Sequence, residues 1–225
     1  MVSYKLQSFF FLVLSTSILA CNGQIKNTEQ AVPVTNSTKT KIVGGGCDGC
    51  ELMYIDMPDK ITSTDTSSGW KEEGQQLLVK GIVYKNDGKT PAAGVIIYYW
   101  QTDNNGRYTP LASQSSSGRR HGHIRGWVKC DERGQYRIYT IRPAPYPGLK
   151  EPAHIHFSIK EPDLANEYYI DDIQFTDDKL VTAEYRNTRL NRGGNGIVKL
   201  KTENNLSIAE RDIILGMNIT DYPEK

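Results

Sequence analysis

The sequence predicts an all-β fold, a single β-sandwich of about seven to eight short strands with extended loops. Three observations predict this fold class. Short runs rich in Val, Ile, Tyr and Trp recur along the chain, and these side chains suit a pleated, packed surface. Turn signals such as Asp-Gly and Asn-Gly separate the runs. Helical periodicity is weak, with one exception in "SIAERDII".

The strands are expected in a definite order along the chain. Runs 77–84 and 94–101 flank the Asp-Gly turn of "KNDGKT", and "HIRGWVKCDERGQYRIYTI" supplies two more runs joined by "DERG". The four prolines of "RPAPYPGLKEP" cannot donate ladder hydrogen bonds, so this segment is expected to cross between strands in an extended form. The run "HIHFSIK" follows, and further strands are expected at 168–175, 197–201 and 212–215.

The N-terminal residues predict an export signal and a tether rather than a part of the fold. Residues 1–20 contain "FFFLVLSTSILA", an apolar run too short to span a membrane comfortably. The ending "ILAC" resembles a bacterial lipobox, which implies that Cys21 is lipidated; a plain signal peptide with a chance cysteine is the alternative. Residues 21–41 are polar, as in a flexible tether, and the roughly 180 residues of 42–225 suffice for one domain. We therefore expect a cell-envelope protein, lipid-anchored to the membrane outside the cytoplasm.

Charge and cysteine content narrow the expected partners. The net charge of +1 gives no indication of nucleic acid as a partner. Cys47 and Cys50 form a CxxC pair, but the second pair that a zinc site usually needs is absent from the sequence. A local disulfide is therefore expected in an oxidising compartment. Cys130 lies in a strand-like run and is expected to be a buried thiol.

The segment "KEPAHIHFSIKEP" (150–162) places two of the four histidines of the chain one residue apart. Apolar and polar residues alternate through it, so the side chains of His154 and His156 point out of the same face of a strand. This pattern alone leaves two interpretations open. The two imidazoles bind one metal ion, or they occupy the ordinary solvent face of a half-buried strand.

Two tyrosines extend this candidate site. Tyr108 follows the turn in "NNGRY", and Tyr146 lies between two prolines in "RPAPYP". Flanking prolines restrict the backbone of Tyr146, as a residue of a functional site requires.

Residues from about 80 to 176 resemble the core of the intradiol ring-cleavage dioxygenases, the family of the catechol and protocatechuate enzymes. The segments that carry the resemblance are "GIVYKNDGKTPAAGVIIYYWQTDNNGRY", "DERGQYRIYTIRPAPYP" and "PAHIHF". The resemblance implies an Fe(III) cofactor held by Tyr108, Tyr146, His154 and His156, with Tyr146 also catalytic as the displaced ligand and internal base. It implies a catechol-type substrate and dioxygen, and ring cleavage between the two hydroxyl-bearing carbons to a muconate-type diacid.

The chemistry of these side chains is consistent with a trivalent ion. A free phenol titrates near pH 10, so a strongly charged metal is needed to ionise two phenols at neutral pH. Two anionic oxygens in turn favour the +3 state of iron, as hard ligands favour hard cations. Two histidines with one carboxylate would indicate the ferrous oxygenase triad instead.

The chain departs from the family pattern at two positions on the expected substrate side. Glu151 stands where relatives carry Arg, and Asp172 stands where relatives tend to carry Gln. The Arg is thought to stabilise negative charge on the activated ring, and losing such a donor typically costs about 10²–10³ in rate. We therefore expect catechols with a ring carboxylate to be poor substrates. The candidates to replace the missing cation are Lys150, Arg142, Arg119, Arg120 and Arg125.

A second histidine pair, His121 and His123 in "RRHGHIRG", lies in a loop-like segment. A solvated loop, or a loop over the substrate pocket, is favoured over a second metal site. The helical N-terminal segment of the catechol-cleaving branch has no counterpart here, so an oligomer is compatible with the sequence but its contacts cannot be assumed.

Two other functions compete with the dioxygenase hypothesis. "GIVYKNDGKTPAAGV" also resembles the opening hairpin of transthyretin-like and carbohydrate-binding sandwiches, so a non-catalytic β-sandwich lipoprotein is the main alternative. A zinc or copper site built from the two histidines and Glu151 is the third.

Overall fold

Two β-sheets form the framework of the computed structural model, which describes residues 41–224. Within these residues there are eleven strands: β1 (Thr64–Thr66), β2 (Gln76–Tyr84), β3 (Ile96–Gln101), β4 (Arg125–Lys129), β5 (Gln135–Ile141), β6 (His154–Lys160), β7 (Tyr168–Phe175), β8 (Ile197–Val198), β9 (Lys201–Glu203), β10 (Leu206–Glu210) and β11 (Ile213–Ile214). The first sheet has the order β1-β5-β2-β10-β9, with β11 also paired to β2, and the second has the order β4-β3-β6-β7-β8.

Helical structure is short throughout the described residues. The one α-helix there, α1 (Ala183–Asn187), begins where the side chain of Thr182 accepts a hydrogen bond from the backbone N–H of Tyr185. Single 3₁₀ turns occur at Val43–Gly45, Cys50–Tyr54, Ser68–Lys71 and Gly118–His121. Between residues 41 and 224, no helix combines the length and apolarity needed to cross a bilayer.

The main core lies between the two sheets. Alternate residues of each strand face it, because successive side chains of a strand point to opposite sides. Leu77 and Val79 enter the core from β2, and Ile155 and Phe157 enter it from β6; all four are fully or almost fully buried. The predicted all-β sandwich is therefore confirmed.

The other face of the second sheet is also covered, which the strand pattern does not reveal. Tyr98 and Trp100 of β3 point away from the main core and pack with Met53 in a second buried cluster. Tyr108, Trp127 and Tyr169 flank this cluster. As a result β3 is buried on both sides, and the histidines of β6 share a covered face rather than a solvent face.

The strand predictions were correct in position but incomplete in number. Eleven strands replace the expected seven to eight within the described residues, because four of them have only two or three residues and carry too little pattern to identify. The helical periodicity of "SIAERDII" is misleading. Ser207, Ile208 and Ala209 are buried and pair in parallel with β2, so tertiary hydrogen bonds override a weak local preference.

The cysteines behave as expected where the structure describes them. Cys47 and Cys50 are bonded to each other. Cys130 is free and buried in the main core, and burial raises the pKa of its thiol to about 12. The predicted signal peptide (1–20), the lipidation of Cys21 and the tether up to residue 40 lie outside the described residues and stay predictions.

Candidate metal centre

The two tyrosines and two histidines singled out in the sequence come together at one end of the second sheet. The phenol oxygens of Tyr108 and Tyr146 are 2.6 Å apart, and the Tyr108 oxygen is 2.8 Å from Nε2 of His156. The Tyr146 oxygen is 3.2 Å from Nε2 of His154 and 3.4 Å from Nε2 of His156. The two Nε2 atoms are 3.0 Å apart. Four donor atoms from three separate segments therefore surround one point.

Tyr108 is positioned by a turn that follows β3. The carboxylate of Asp103 accepts hydrogen bonds from the backbone N–H groups of Asn105 and Arg107, at 2.8 and 3.1 Å, and from the hydroxyl of Thr109 at 2.6 Å. An aspartate that bonds backbone groups a few residues ahead closes such a turn locally. Asp103 thus bonds both neighbours of Tyr108 in the chain. It was not predicted as a site residue from the sequence, although "DNNG" is a recognisable turn signal.

Tyr146 lies on the proline-rich crossing, which is fastened to the same end of β3. The hydroxyl of Thr102 donates to the carbonyl oxygen of Ala144 at 2.7 Å, and the backbone N–H of Ala144 donates to the carbonyl oxygen of Asp103 at 3.2 Å. The prolines flanking Tyr146 restrict its backbone further. The loops that carry the two tyrosines are therefore attached to a common anchor at the end of β3.

The histidines lie on β6, where a bulge interrupts the pairing with β7. Ile155 pairs with Ile173 and Phe157 pairs with Ile170, so His156 alone lies opposite two residues, Asp171 and Asp172. A bulge re-aims side chains and is frequent beside functional sites. Here it brings Asp172 onto the face of the sheet that carries His156.

The hydrogen bonds of the two imidazoles assign their protons. Nδ1 of His154 lies 2.7 Å from the carbonyl oxygen of Pro152, and Nδ1 of His156 lies 2.8 Å from Oδ1 of Asp172. Both oxygens only accept, so each Nδ1 donates and each Nε2 presents a lone pair. Burial lowers the pKa of His154, which keeps it in this neutral form.

This donor set fits a bound cation. Two lone-pair nitrogens 3.0 Å apart repel each other, and the two phenol protons cannot bridge all the close contacts among four donor atoms. Neighbouring ligands of one small cation stand roughly 3 Å apart when the bonds to the metal are about 2.0–2.2 Å long. The spacing of 2.6–3.4 Å seen here matches that requirement, and Tyr108, Tyr146, His154 and His156 could hold the ion.

The tyrosines resist ionisation in the absence of a cation. Burial, followed by the hydrogen bond to Tyr146, raises the pKa of Tyr108 well above its ordinary value. Burial also raises the pKa of Tyr146, and the negative charges of Asp172 and Glu151 add to this. Phenolate oxygens at this site therefore require a strong positive charge beside them.

Asp172 and Glu151, both expected on the substrate side, occupy different environments. Asp172 is buried behind His156, and the hydroxyl of Tyr169 also donates to its carboxylate. Although burial opposes it, the interaction with His156 lowers the pKa of Asp172 to about 2. Glu151 is exposed on the segment before β6. The third hypothesis, which paired Glu151 with the two histidines, named the wrong carboxylate, because Asp172 is the acidic side chain grouped with them in the described residues.

A cavity of about 410 Å³ opens beside the four donor atoms. Its lining includes Tyr108, Tyr146 and His156 of the candidate metal centre, together with Trp100 and Tyr169. The indole of Trp100 stacks on His156, with ring centroids 4.7 Å apart. Neither Trp100 nor Tyr169 was singled out in the sequence, because stacking between strands leaves no signal in the residue order.

His121, Arg120 and Asp48 also line the cavity. His121 stacks on Trp100, with centroids 4.2 Å apart, and its Nδ1 lies 2.8 Å from the hydroxyl oxygen of Tyr98. Both His121 and His123 are buried, so a solvated loop is the wrong interpretation and a loop over the pocket is correct for His121.

The arginines considered as replacements for the missing cation are mostly engaged elsewhere. Arg125 pairs with Asp56 at 2.6 Å, and Arg142 forms a two-pronged pair with Asp177 at 2.7 and 2.8 Å. Arg120 alone among the five candidates lines the cavity, and it is paired with Asp48 there. Lys150 is exposed.

The chain is similar to several known proteins. Residues 53–210 match the family model described as Dioxygenase. The chain is 29% identical over 114 residues to the chlorocatechol 1,2-dioxygenase of Pseudomonas sp. (strain P51), covering 42% of this chain and 43% of the relative. It is 26% identical over 171 residues to the hydroxyquinol 1,2-dioxygenase of Corynebacterium glutamicum, covering 68% of this chain and 51% of the relative. The chain thus spans about half the length of the curated relatives it matches.

A solved structure shows the same fold. The dioxygenase domain of a dioxygenase carbohydrate-binding protein fusion from Streptomyces sp. SirexAA-E superposes with a TM-score of 0.51 and 21% identity, covering 72% of this chain and 92% of that chain. The Dioxygenase match extends over most of this chain and contains all four converging side chains. The chain therefore belongs to the intradiol ring-cleavage dioxygenase family.

Proposed function

We propose that this protein is a non-haem Fe(III) dioxygenase that opens the ring of a catechol between its two hydroxyl-bearing carbons, giving a muconate-type diacid. The observation that carries the proposal is the convergence of four donor atoms at 2.6–3.4 Å, with the lone pairs of both imidazoles directed at the same point. Tyr108, Tyr146, His154 and His156 would hold a ferric ion, whose charge would ionise the phenols and activate the catechol toward dioxygen.

Tyr146 is suited to accept a proton from the substrate. Its phenol oxygen faces the cavity and lies on a loop separate from the strand that carries the histidines. Burial raises the pKa of Tyr146, so its oxygen takes up a proton readily once it is no longer stabilised by a neighbouring cation. This is the role of an internal base, and it requires no additional titratable group in the cavity.

The cavity wall is suited to an aromatic ring. Trp100 stacks on both His121 and His156, which fixes its ring in the cavity lining. A rigid wall of this kind orients a planar substrate with little loss of side-chain entropy on binding. The protein thereby places the ring beside the donor atoms and excludes water from one side of it.

The main alternative, a non-catalytic binding sandwich, is less compatible with this geometry. A module that only binds a ligand has no need for two imidazole lone pairs 3.0 Å apart beside two buried phenols. Such an arrangement is costly without a cation. The shared opening hairpin reflects the fold rather than the function.

Colour and ring opening together test the proposal. The iron-loaded protein is expected to show visible absorption from tyrosinate bound to ferric iron and to open the ring of catechol with dioxygen uptake. Tyr108→Phe should weaken and shift the visible band, since Tyr146 stays as the one tyrosinate, and should lose at least about a hundredfold in turnover because it removes one anionic ligand. Tyr84→Phe removes a half-buried phenol from β2, outside the site, and should preserve both properties. A colourless wild-type protein that leaves catechol intact after iron loading would refute the proposed function.

We further propose that the domain is anchored to a membrane of the cell envelope through lipid on Cys21, outside the cytoplasm. The support is the apolar segment that ends in "ILAC" and the polar stretch after it. Expression in a bacterial host fed a labelled fatty acid should label the wild-type protein and leave Cys21→Ala unlabelled. Equal labelling of the two proteins would contradict the anchor.

A further inference from the structure

The carboxylate of Asp172 points at His156, one of the proposed metal-binding residues, rather than into the cavity. Its Oδ1 accepts a hydrogen bond from Nδ1 of His156 at 2.8 Å, and the hydroxyl of Tyr169 donates to the same oxygen. Asp172 is 7% exposed. A buried carboxylate with two donors on one oxygen has a fixed position, and here it fixes the ring of His156 as well.

At the bulge in β7, two adjacent aspartates bind different partners. Asp171 accepts hydrogen bonds from Nε of Arg192 at 2.9 Å and from the backbone N–H of Asn191 at 2.7 Å. Asp172 faces His156. Without the extra residue, a single residue of β7 would lie opposite His156. Because side chains alternate between the two faces of a regular strand, its neighbour would then point to the other face of the sheet.

Asp172 is not positioned to be a ligand of the same ion. Its Oδ1 lies at the Nδ1 edge of His156, whereas the tyrosine oxygens and His154 gather at the Nε2 edge. In an imidazole, the Nδ1–H bond and the lone pair of Nε2 point in different directions. An ion held at Nε2 is therefore out of reach of a carboxylate that is hydrogen-bonded to Nδ1.

We propose that Asp172 is a positioning residue that holds His156 in the tautomer required for metal binding and, through its negative charge, strengthens the hold of the site on ferric iron. This inference rests on the proposed function. A carboxylate that accepts the second N–H of a metal-bound imidazole makes the other nitrogen a stronger donor, and losing such a partner typically costs about 10–100-fold in metal affinity. With Tyr108 and Tyr146 ionised, Asp172 brings the number of anionic groups around one trivalent ion to three.

The decisive variant is Asp172→Asn, which keeps the shape and an accepting oxygen but removes the charge. We expect an affinity for ferric iron about 10–100-fold lower in competition with a chelator. We also expect the tyrosinate absorption of the iron-loaded protein to move to longer wavelength and the reduction potential of the iron to become more positive, because His156 then donates less electron density. A purely structural role would move neither the band nor the potential.

Asp171→Asn is the matched control. It removes the same charge from the adjacent residue of the same bulge but weakens the ion pair with Arg192 rather than the contact with His156. Its band position and potential should equal those of the wild-type protein. If Asp171→Asn shifts both by as much as Asp172→Asn, the effect is unspecific and the assignment to Asp172 is wrong.

Tyr169→Phe keeps the inference testable should Asp172→Asn fail to fold. This variant removes the hydroxyl that donates to the carboxylate and that also lies 3.1 Å from Nδ1 of His156. Among the described residues, Asp172 is then the one side-chain partner of Nδ1 and a stronger acceptor toward it. The potential should then move in the opposite direction, to a more negative value, and an unchanged or more positive potential would contradict the inference.

The outcomes separate this inference from the proposed function. A wild-type protein that takes up no ferric iron refutes both. A wild-type protein with tyrosinate absorption, accompanied by Asp172→Asn with unchanged affinity, band and potential, refutes only the role of Asp172.

Discussion

At the scale of single residues, the charges around the candidate site explain which substrates it should accept. Besides burial, which is the largest cause, the negative charges of Asp172 and Glu151 raise the pKa of Tyr146. The one cation among the candidates that reaches the cavity, Arg120, is paired with Asp48. Among the described residues, the cavity therefore has little unpaired positive charge that could stabilise an anionic substituent of the substrate.

A ring carboxylate should accordingly lower turnover. Two like charges 4 Å apart repel by about 4 kcal/mol at an effective dielectric of 20 and by about 1 kcal/mol in water, and the exposed Glu151 lies nearer the second case. We expect kcat/KM for catechol to exceed that for 3,4-dihydroxybenzoate by roughly fivefold or more, and Glu151→Gln to narrow this ratio. Glu132→Gln, an exposed change in the turn between β4 and β5, serves as the control. A preference of the wild-type enzyme for the carboxylated compound would contradict the prediction.

His121 should give the protein a specific sensitivity to acid. Burial lowers the pKa of His121 to about 3 in the folded protein, whereas an unfolded histidine titrates near 6.5. Between these values the unfolded chain binds a proton that the folded protein does not, so stability falls as the pH drops from 6.5 toward 3 and is unaffected above 6.5.

The test compares iron-free wild-type protein with His121→Phe, which keeps an aromatic ring beside Trp100. Urea unfolding at several pH values should show a shallower loss of stability for the variant below pH 6.5, by at most about 1.4 kcal/mol per pH unit. The two slopes should coincide above pH 7. Identical slopes between pH 4 and 6 would mean that His121 is not held neutral by the fold.

At the scale of elements, the two tyrosine-bearing loops are in direct contact at Gly106. A Cβ added there would lie 2.1 Å from the carbonyl oxygen of Pro145 and 2.9 Å from Cδ of Pro147. The backbone of Gly106 also has a φ of +72°, a region that favours glycine. The close approach of the loops to each other, and hence of Tyr108 to Tyr146, depends on the absence of a side chain at this position.

Gly106→Ala should therefore separate the two tyrosines. The control is Gly88→Ala, in the turn between β2 and β3, because Gly88 has a similar φ of +68° but its Cβ would meet only the Ile214 side chain, at 3.5 Å. Backbone strain of about 1 kcal/mol is common to both variants, so any further loss belongs to the clash. We expect Gly106→Ala to lose more stability than Gly88→Ala and to lose most of its bound iron, measured by thermal unfolding and metal content. Equal iron content in the two variants would show that the loop contact does not set the tyrosine spacing.

Elements with a strong local pattern could be predicted from the sequence, and elements defined by their partners could not. The run at 168–175 matches β7 residue for residue, because five of its eight residues are aromatic or β-branched. By contrast, β10 exists because Ser207, Ile208 and Ala209 find backbone partners on β2, far away in the sequence. The same limit explains why β1 and β9, with three residues each, were missed.

The residues of the candidate site also fall into those that could be predicted from the sequence and those that could not. Tyr108, Tyr146 and the two histidines could be named because the motifs around them resemble a known family. The covered face behind them could not be predicted, because Trp100 is placed there by the pairing of β3 with β6. Nor could the position of Asp172, which depends on a bulge that a single sequence does not reveal.

At the scale of the whole molecule, the candidate metal site joins segments that are distant in the chain. Tyr108 follows β3, Tyr146 follows β5, and the histidines lie on β6. An unfolded chain does not hold four donors together at separations of 2.6–3.4 Å, because closing the intervening loops costs conformational entropy. A metal ion should thus bind the folded state almost exclusively.

Metal binding should consequently stabilise the whole sandwich. Preferential binding to the folded state at a hundredfold excess over the dissociation constant contributes about 2.7 kcal/mol, and about 2–4 °C per kcal/mol is typical of domains this size. We expect calorimetry to give a midpoint about 5–10 °C higher for the iron-loaded than for the metal-free protein, with the gain retained in Tyr84→Phe and largely lost in Tyr108→Phe. Gallium(III), which is trivalent but not readily reduced, should reproduce the gain, and zinc should give a smaller one because two phenolate oxygens favour the higher charge. A larger gain with zinc than with gallium would identify the histidines as a divalent site and would remove the tyrosines from the metal centre.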